Sequence, residues 1–164
     1  MYSSHQIANY FIRRSLATGI ELTPIKLMKL TYFAHGWHLG FYDTELLGEA
    51  MYARKYGPLI ETLHRDFLKY GLSQISALYS HKGHFPLPDQ EIEPFLDKAW
   101  QVYGKYDSNY LSILAIQSDT PWDIVWNQQG GWKKEKTIIS NEVIKQYYKH
   151  IIAVNHATQN ATAI

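Results

Sequence analysis

The sequence contains no cysteine, so disulfide bonds, thiolate nucleophiles and thiolate metal ligands are all excluded. It also lacks a large excess of either charge, because sixteen Lys and Arg residues stand against fifteen Asp and Glu residues. Proteins that bind nucleic acid or anionic membrane surfaces usually carry a clear basic excess. Neither nucleic acid nor a membrane is therefore an expected partner.

Long apolar runs are also missing. No stretch is long and apolar enough to span a bilayer, and the first residues, Met1-Tyr2-Ser3-Ser4-His5-Gln6, have neither the basic segment nor the apolar run of a signal peptide. We therefore expect a cytoplasmic protein.

Motifs of common enzyme classes are absent as well. The one glycine pair, Gly130-Gly131, precedes Trp132-Lys133-Lys134 and not a phosphate-binding helix, and no serine lies in a glycine-flanked elbow. We therefore predict no cofactor and no enzymatic activity.

Histidines offer one alternative to that prediction. His35 and His38 are three residues apart in a helical pattern, and His64 could be a third ligand, which together would make a metal-dependent enzyme. No acidic residue flanks them in the zinc-protease pattern, and buried histidines usually only form hydrogen bonds. The favoured interpretation is therefore that the chain holds no metal.

Aromatic residues and helical periodicity dominate what is present. Tyr, Phe and Trp make up 15% of the 164 residues, enough to fill the core of one domain. The pattern predicts a mainly α fold, a single compact bundle of about six or seven helices with at most a small β-hairpin. We expect one helical domain over residues 1–154 and a flexible C-terminal tail over residues 155–164.

Caps and breakers place the helices along the chain. The predicted helices start after Ser3 or Ser4, at Thr23, at Pro58, after Asp89, after Asp107 or Ser108, at Thr120-Pro121, and after Ser140 or Asn141. A hairpin or loop is expected over residues 41–53, an irregular loop over residues 72–87, and an extended segment at Thr137-Ile138-Ile139.

The second of these helices carries the most information. Thr23 can cap it and Pro24 suits its first position, while Gly40 is expected to stop it. Most of its surface is apolar, which predicts a buried central helix. A narrow face is expected to remain open and basic, with glycines that allow close approach of another chain or side chain; it comprises Lys26, Lys29, Phe33, Gly36 and Gly40.

This face and the segment Arg54-Lys55-Tyr56-Gly57-Pro58 together suggest a docking surface, because interfaces favour aromatic residues and arginine. The alternative is that the lysines are merely solvated, and that Gly57 and Pro58 form a tight turn into the third helix. The partner-binding candidates are Lys26, Lys29, Tyr32, Phe33, Arg54 and Tyr56.

Four segments, in this order, resemble the Panacea domain family, which includes SocA-like antitoxins and phage-associated GepA-like proteins. They are the run from Thr23 to His38, the segment from Arg54 to Ile60, Tyr70-Gly71, and Thr120-Pro121-Trp122. The resemblance extends over nearly the whole chain.

The resemblance implies a non-enzymatic, mostly helical protein that neutralises a toxin encoded beside it. The leading hypothesis is an antitoxin that binds its cognate toxin directly. The alternatives are a proteolytic adaptor that delivers the toxin to a cytoplasmic protease, and a phage- or prophage-encoded protein that binds a host protein. A homo-oligomer remains open.

Overall fold

The computed structural model describes residues 1–162, and over these residues it confirms a mainly α fold with one small antiparallel sheet. The helices are α1 (Ser4–Thr18), α2 (Pro24–Tyr42), α3 (Glu61–Phe67), α4 (Glu93–Tyr103), α5 (Ser108–Ala115), α6 (Pro121–Asp123) and α7 (Asn141–Thr162). The strands are β1 (Met51–Arg54), β2 (Gly57–Leu59) and β3 (Thr137–Ile139). A π-helical turn, Ile124–Gln128, follows α6 directly. No helix within residues 1–162 is long and apolar enough to cross a membrane.

Helix α2 lies at the centre and packs against α1, α4, α5 and α7. Its start is as predicted, because the Thr23 side chain accepts a hydrogen bond from the Lys26 amide and Pro24 occupies the first turn. Its end is not: the helix continues past Gly40 to Tyr42 and closes at Asp43, whose φ is 59°. Gly40 does not break the helix because it serves as a packing site inside it.

Gly36 and Gly40 form the contact between α2 and α7. A Cβ atom on Gly36 would overlap the ring of Tyr148, and one on Gly40 would lie 2.7 Å from the Tyr148 Cβ. The predicted close approach at these glycines is real, but the group that approaches is Tyr148 of the protein's own last helix.

The prediction that α2 has an open basic face is therefore wrong. Lys26, Lys29, Tyr32 and Phe33 are all buried, each with no more than 5% of its surface exposed. The lysines tolerate burial because their long stems reach backbone carbonyls. Lys26 Nζ donates to the Gly104 carbonyl at 2.6 Å, and Lys29 Nζ donates to the carbonyls of Pro58 at 3.1 Å and Tyr56 at 3.3 Å.

The sheet has the order β2-β1-β3, and both pairs are antiparallel. A small hairpin and an extended segment at residues 137–139 were both predicted, but the hairpin lies at residues 51–59, later than expected. Pro58 lies in β2, where it pairs with Ala53 of β1. It does not start α3, which begins at Glu61. Proline fits here because β2 is an edge strand, where a missing amide donor is tolerated.

The chain beyond residue 154 is helical as far as Thr162, where a flexible tail was predicted. No glycine or proline interrupts this segment, so nothing in it stops α7. Residues 153–159 are exposed. Ala163 and Ile164, the end of the predicted tail, lie outside the described residues, and flexibility of the segment stays a prediction.

The contact at Gly36 predicts a large effect of one methyl group. Gly36→Ala should lower the free energy of unfolding by about 2 kcal/mol, because the clash with the Tyr148 ring outweighs the higher helix propensity of alanine. Urea denaturation measures the change. Gly48→Ala is the control, since its added Cβ would meet only Met1 atoms at ordinary contact distances of 3.6 Å and more. In a Tyr148→Leu background the cost of Gly36→Ala should shrink, and an unchanged cost would refute the contact.

Burial of Lys29 predicts an unusual pH dependence. Burial lowers the pKa of Lys29 from 10.5 to about 8 in the folded protein, so between these values the unfolded chain binds the proton more tightly. Titration of Lys29 should therefore raise the free energy of unfolding as the pH rises, by about 2 kcal/mol from pH 7 to pH 9.5. Denaturation of the wild type and Lys29→Met at both pH values isolates this difference. Parallel pH dependences of the two proteins would show that Lys29 keeps an ordinary pKa.

Candidate functional site

The turn between β1 and β2 presents the most exposed of the predicted binding residues. Tyr56 lies at its tip with 77% of its surface exposed, and Lys55 beside it is also exposed. The Lys55 ammonium lies 5.3 Å from the centroid of the Tyr56 ring, within the range of a cation–π contact. An aromatic ring and a cation therefore project together into solvent.

Lys29 holds this turn from the interior. Its ammonium donates to the carbonyls on both sides of Gly57, those of Tyr56 and Pro58. Gly57 has a φ of 117°, and a Cβ at this position would lie 2.6 Å from Lys29 Nζ and 3.3 Å from Ile116 Cγ2. Only glycine fits such a conformation and such a close neighbour without strain. The turn conformation is thus fixed by a buried charge and one glycine.

Arg54 is fixed through both its backbone and its side chain. The Trp122 indole donates to the Arg54 carbonyl at 2.7 Å. The Arg54 guanidinium donates to the Glu61 carboxylate at 3.0 Å and to the Glu135 carbonyl at 3.0 Å. Arg54 therefore joins the start of α3 to the segment before β3, and its side chain is 39% exposed.

A groove of about 540 Å³ lies beside the turn. The residues that line it are Arg54, Lys55, Tyr56, Leu59, Glu61, His64, Trp126, Lys134 and Glu135. We call this surface the turn groove. Glu61 is paired with both Arg54 and Lys136, at 3.0 and 3.3 Å. Lys55, Lys134 and Glu135 have no ion-pair partner among residues 1–162, so the unpaired charges of the turn groove are two positive and one negative, and their sum is positive.

The predicted site residues divide into two groups. Arg54 and Tyr56 lie together in the turn groove, and Lys29 lies directly beneath them. Lys26, Tyr32 and Phe33 are core residues of α2 without access to a partner. Because these three side chains are buried, Arg54 and Tyr56 are the accessible residues among the six partner-binding candidates.

Sequence reasoning missed the far side of the turn groove, formed by His64, Trp126 and Lys134. Lys134 comes close because β3 pairs with β1, and this pairing joins residues more than 80 positions apart. Periodicity within a segment contains no signal for such a long-range pairing. The expected extended stretch at Thr137-Ile138-Ile139 was the one available indication of it.

His35 and His38, the first two proposed metal ligands, have protein partners. The Leu47 amide donates to His35 Nδ1 at 3.3 Å, while His35 Nε2 lies 2.9 Å from the Asn141 side-chain oxygen. Burial lowers the pKa of His35 and favours its neutral form. His38 Nδ1 lies 2.7 Å from the Thr44 carbonyl. Within the described part of the chain, no group of three or more His, Cys, Asp or Glu residues is placed to hold a metal ion.

Comparison of the sequence with known proteins identifies a family. The family model described as "Antitoxin SocA-like, Panacea domain" matches residues 27–123, more than half of the chain. The matched range includes Lys29, the β1–β2 turn and Trp122, whereas Trp126 and Lys134 lie beyond it. No solved structure matches the chain.

A curated relative extends the match. The chain is 26% identical over 151 residues to the protein named Antitoxin SocA from Caulobacter vibrioides (strain NA1000 / CB15N), an alignment that covers 87% of this chain and 80% of the relative. The chain therefore belongs to the SocA-like antitoxin family that is defined by the Panacea domain.

Proposed function

We propose that this protein is an antitoxin that neutralises a cognate toxin by binding it directly through the turn groove. Membership of the SocA-like family supports an antitoxin role in general. The observation that carries the choice of surface is the exposed Tyr56 on a turn fixed by the buried Lys29. The proposed role is one of binding and not of catalysis.

Preorganisation of the β1–β2 turn supports the choice of this surface. A few anchor residues supply most of the affinity at protein interfaces, and tyrosine, tryptophan and arginine are enriched among them. Ordering a loop upon binding lowers affinity, so a turn that is already fixed loses less. Tyr56 and Arg54 lie on such a turn, with Trp126 exposed in part beside them.

The charge of the turn groove indicates the chemistry of the bound toxin surface. Lys55 and Lys134 form no ion pair with the described residues, and together they outweigh the one unpaired carboxylate of the groove, Glu135. An acidic surface with an apolar pocket for Tyr56 would complement them. Charges at the rim of an interface accelerate association, and salt screens them.

The test is co-expression of the adjacent gene, followed by binding measurements on the purified pair. Tyr56→Ala should weaken toxin binding by about tenfold to thirtyfold and reduce rescue of growth, because the exposed anchor is lost. Tyr110→Ala is the matched control, since Tyr110 is a tyrosine with 45% exposure on α5, outside the turn groove. Higher salt should slow association of the wild type more than that of Lys55→Ala.

Three outcomes would contradict the proposal. An adjacent gene without toxicity would remove the antitoxin role. Growth rescue without a stable complex would remove direct binding. Full binding by Tyr56→Ala, with a complex that resembles the wild type, would leave direct binding intact and move it to another surface.

Residues 153–159 favour the proteolytic adaptor as a second candidate, because this part of α7 is exposed along its whole length. Under direct neutralisation, truncation after Val154 should leave toxin binding and growth rescue intact, since the turn groove is untouched. Western blots of the toxin after translation arrest provide the second measurement. A truncated protein that still binds the toxin but no longer rescues growth, with a longer toxin lifetime, would favour the adaptor.

A further inference from the structure

A second groove lies on another face, between the C-terminal end of α2 and helix α4. Its volume is about 670 Å³, and its apolar walls come from Trp37, Phe41, Tyr42, Phe95 and Val102. We call it the aromatic groove. Phe41, Tyr42 and Val102 are between 43% and 56% exposed, an unusual concentration of apolar surface for a protein without a partner. It shares no residue with the turn groove.

The walls of the aromatic groove are held in place by ring contacts. Trp37 stacks on Phe41 with centroids 5.5 Å apart, and its indole donates to the Tyr103 hydroxyl at 2.6 Å. Tyr42 packs edge-on against Phe95 with centroids 5.9 Å apart. The surface is therefore already formed and needs no rearrangement to accept a partner.

Two opposite charges border the groove. Glu91 lies in the turn that leads into α4, Lys98 lies seven residues later within α4, and both line the aromatic groove. Neither side chain has an ion-pair partner within residues 1–162. Phe95, which also lines the groove, lies between them in the sequence.

We propose that the aromatic groove is the site where a second copy of this chain binds. Reversing the direction of α4 about Phe95 exchanges the positions of Glu91 and Lys98. Two copies related by a two-fold axis near Phe95 would therefore place Glu91 of each opposite Lys98 of the other. Such a two-fold interface is self-complementary, which is the commonest arrangement in homo-oligomers. The exposed rings of Phe41 and Tyr42 and the Val102 side chain would be buried around the two ion pairs.

An unrelated partner helix could also fill an apolar groove, but the charge pattern favours the second copy. One cation and one anion on either side of an aromatic residue can pair with the same two charges of a second copy, and they require no other protein to neutralise them. Antiparallel helices at a spacing of 8–10 Å bring side chains of this length within reach of each other. This interface is independent of toxin binding at the turn groove.

Charge reversal tests the two-fold arrangement directly, with the full chain and analytical ultracentrifugation. In Glu91→Lys, a lysine faces a lysine at both contacts, and in Lys98→Glu a glutamate faces a glutamate. The affinity of each variant for itself should therefore be at least about tenfold lower than that of the wild type. The double variant Glu91→Lys/Lys98→Glu should regain the wild-type dimer. An equimolar mixture of the two single variants should form heterodimers, because each contact then joins opposite charges.

Controls separate these effects from loss of folding. Lys105→Glu reverses an exposed charge outside the aromatic groove and should dimerise like the wild type. Phe41→Asp should be monomeric while its circular dichroism spectrum and melting temperature stay close to those of the wild type. A wild type that is monomeric at all concentrations would overturn the proposal and leave the groove to a different protein. A dimer that both single reversals leave unchanged, or single variants that do not pair when mixed, would overturn it equally.

Discussion

The close packing of α7 on α2 is the constraint on which the rest of the structure depends. Helices can approach this closely only where one of them lacks side chains, and Gly36 and Gly40 provide that gap for the Tyr148 ring. Once α7 covers this face, α2 is enclosed on nearly every side by α1, α4, α5 and α7. Polar groups of α2 must then find partners inside the protein. The fates of Lys26, Lys29 and His35 all follow from this enclosure.

Lys29 connects the enclosed helix to the surface. A buried ammonium needs acceptors, and the nearest in this fold are the carbonyls of Tyr56 and Pro58 on either side of Gly57. The same contacts that satisfy the charge also define the β1–β2 turn. A core lysine therefore determines how Tyr56 is presented to solvent, although Lys29 itself cannot touch a partner. This explains why α2 and the β1–β2 turn belong to one structural unit, although Lys29 and Tyr56 are 27 residues apart in the sequence.

The sequence predicted the local features of this architecture well. The Thr23 cap and the Pro24 start depend on nearby residues, and most helices were placed correctly. Predictions from the sequence were wrong where contacts between distant segments decide the structure. A helical wheel of α2 shows a basic strip with glycines, but it cannot show that α7 and the Gly104 carbonyl cover that strip. The same limit applies to Pro58, whose strand pairing with Ala53 overrides its preference for a helix start.

The two grooves also differ in what their unpaired charges require. The turn groove has a net positive charge, because Arg54, Lys55 and Lys134 outnumber its two carboxylates, Glu61 and Glu135. A net positive surface would favour an acidic partner over its own copy. The aromatic groove instead carries one unpaired charge of each sign, Glu91 and Lys98. A second copy related by a two-fold axis can pair with both charges. The division of charge between the two faces would thus separate the proposed binding of a toxin from the proposed self-association, and would let both occur on one molecule without competition.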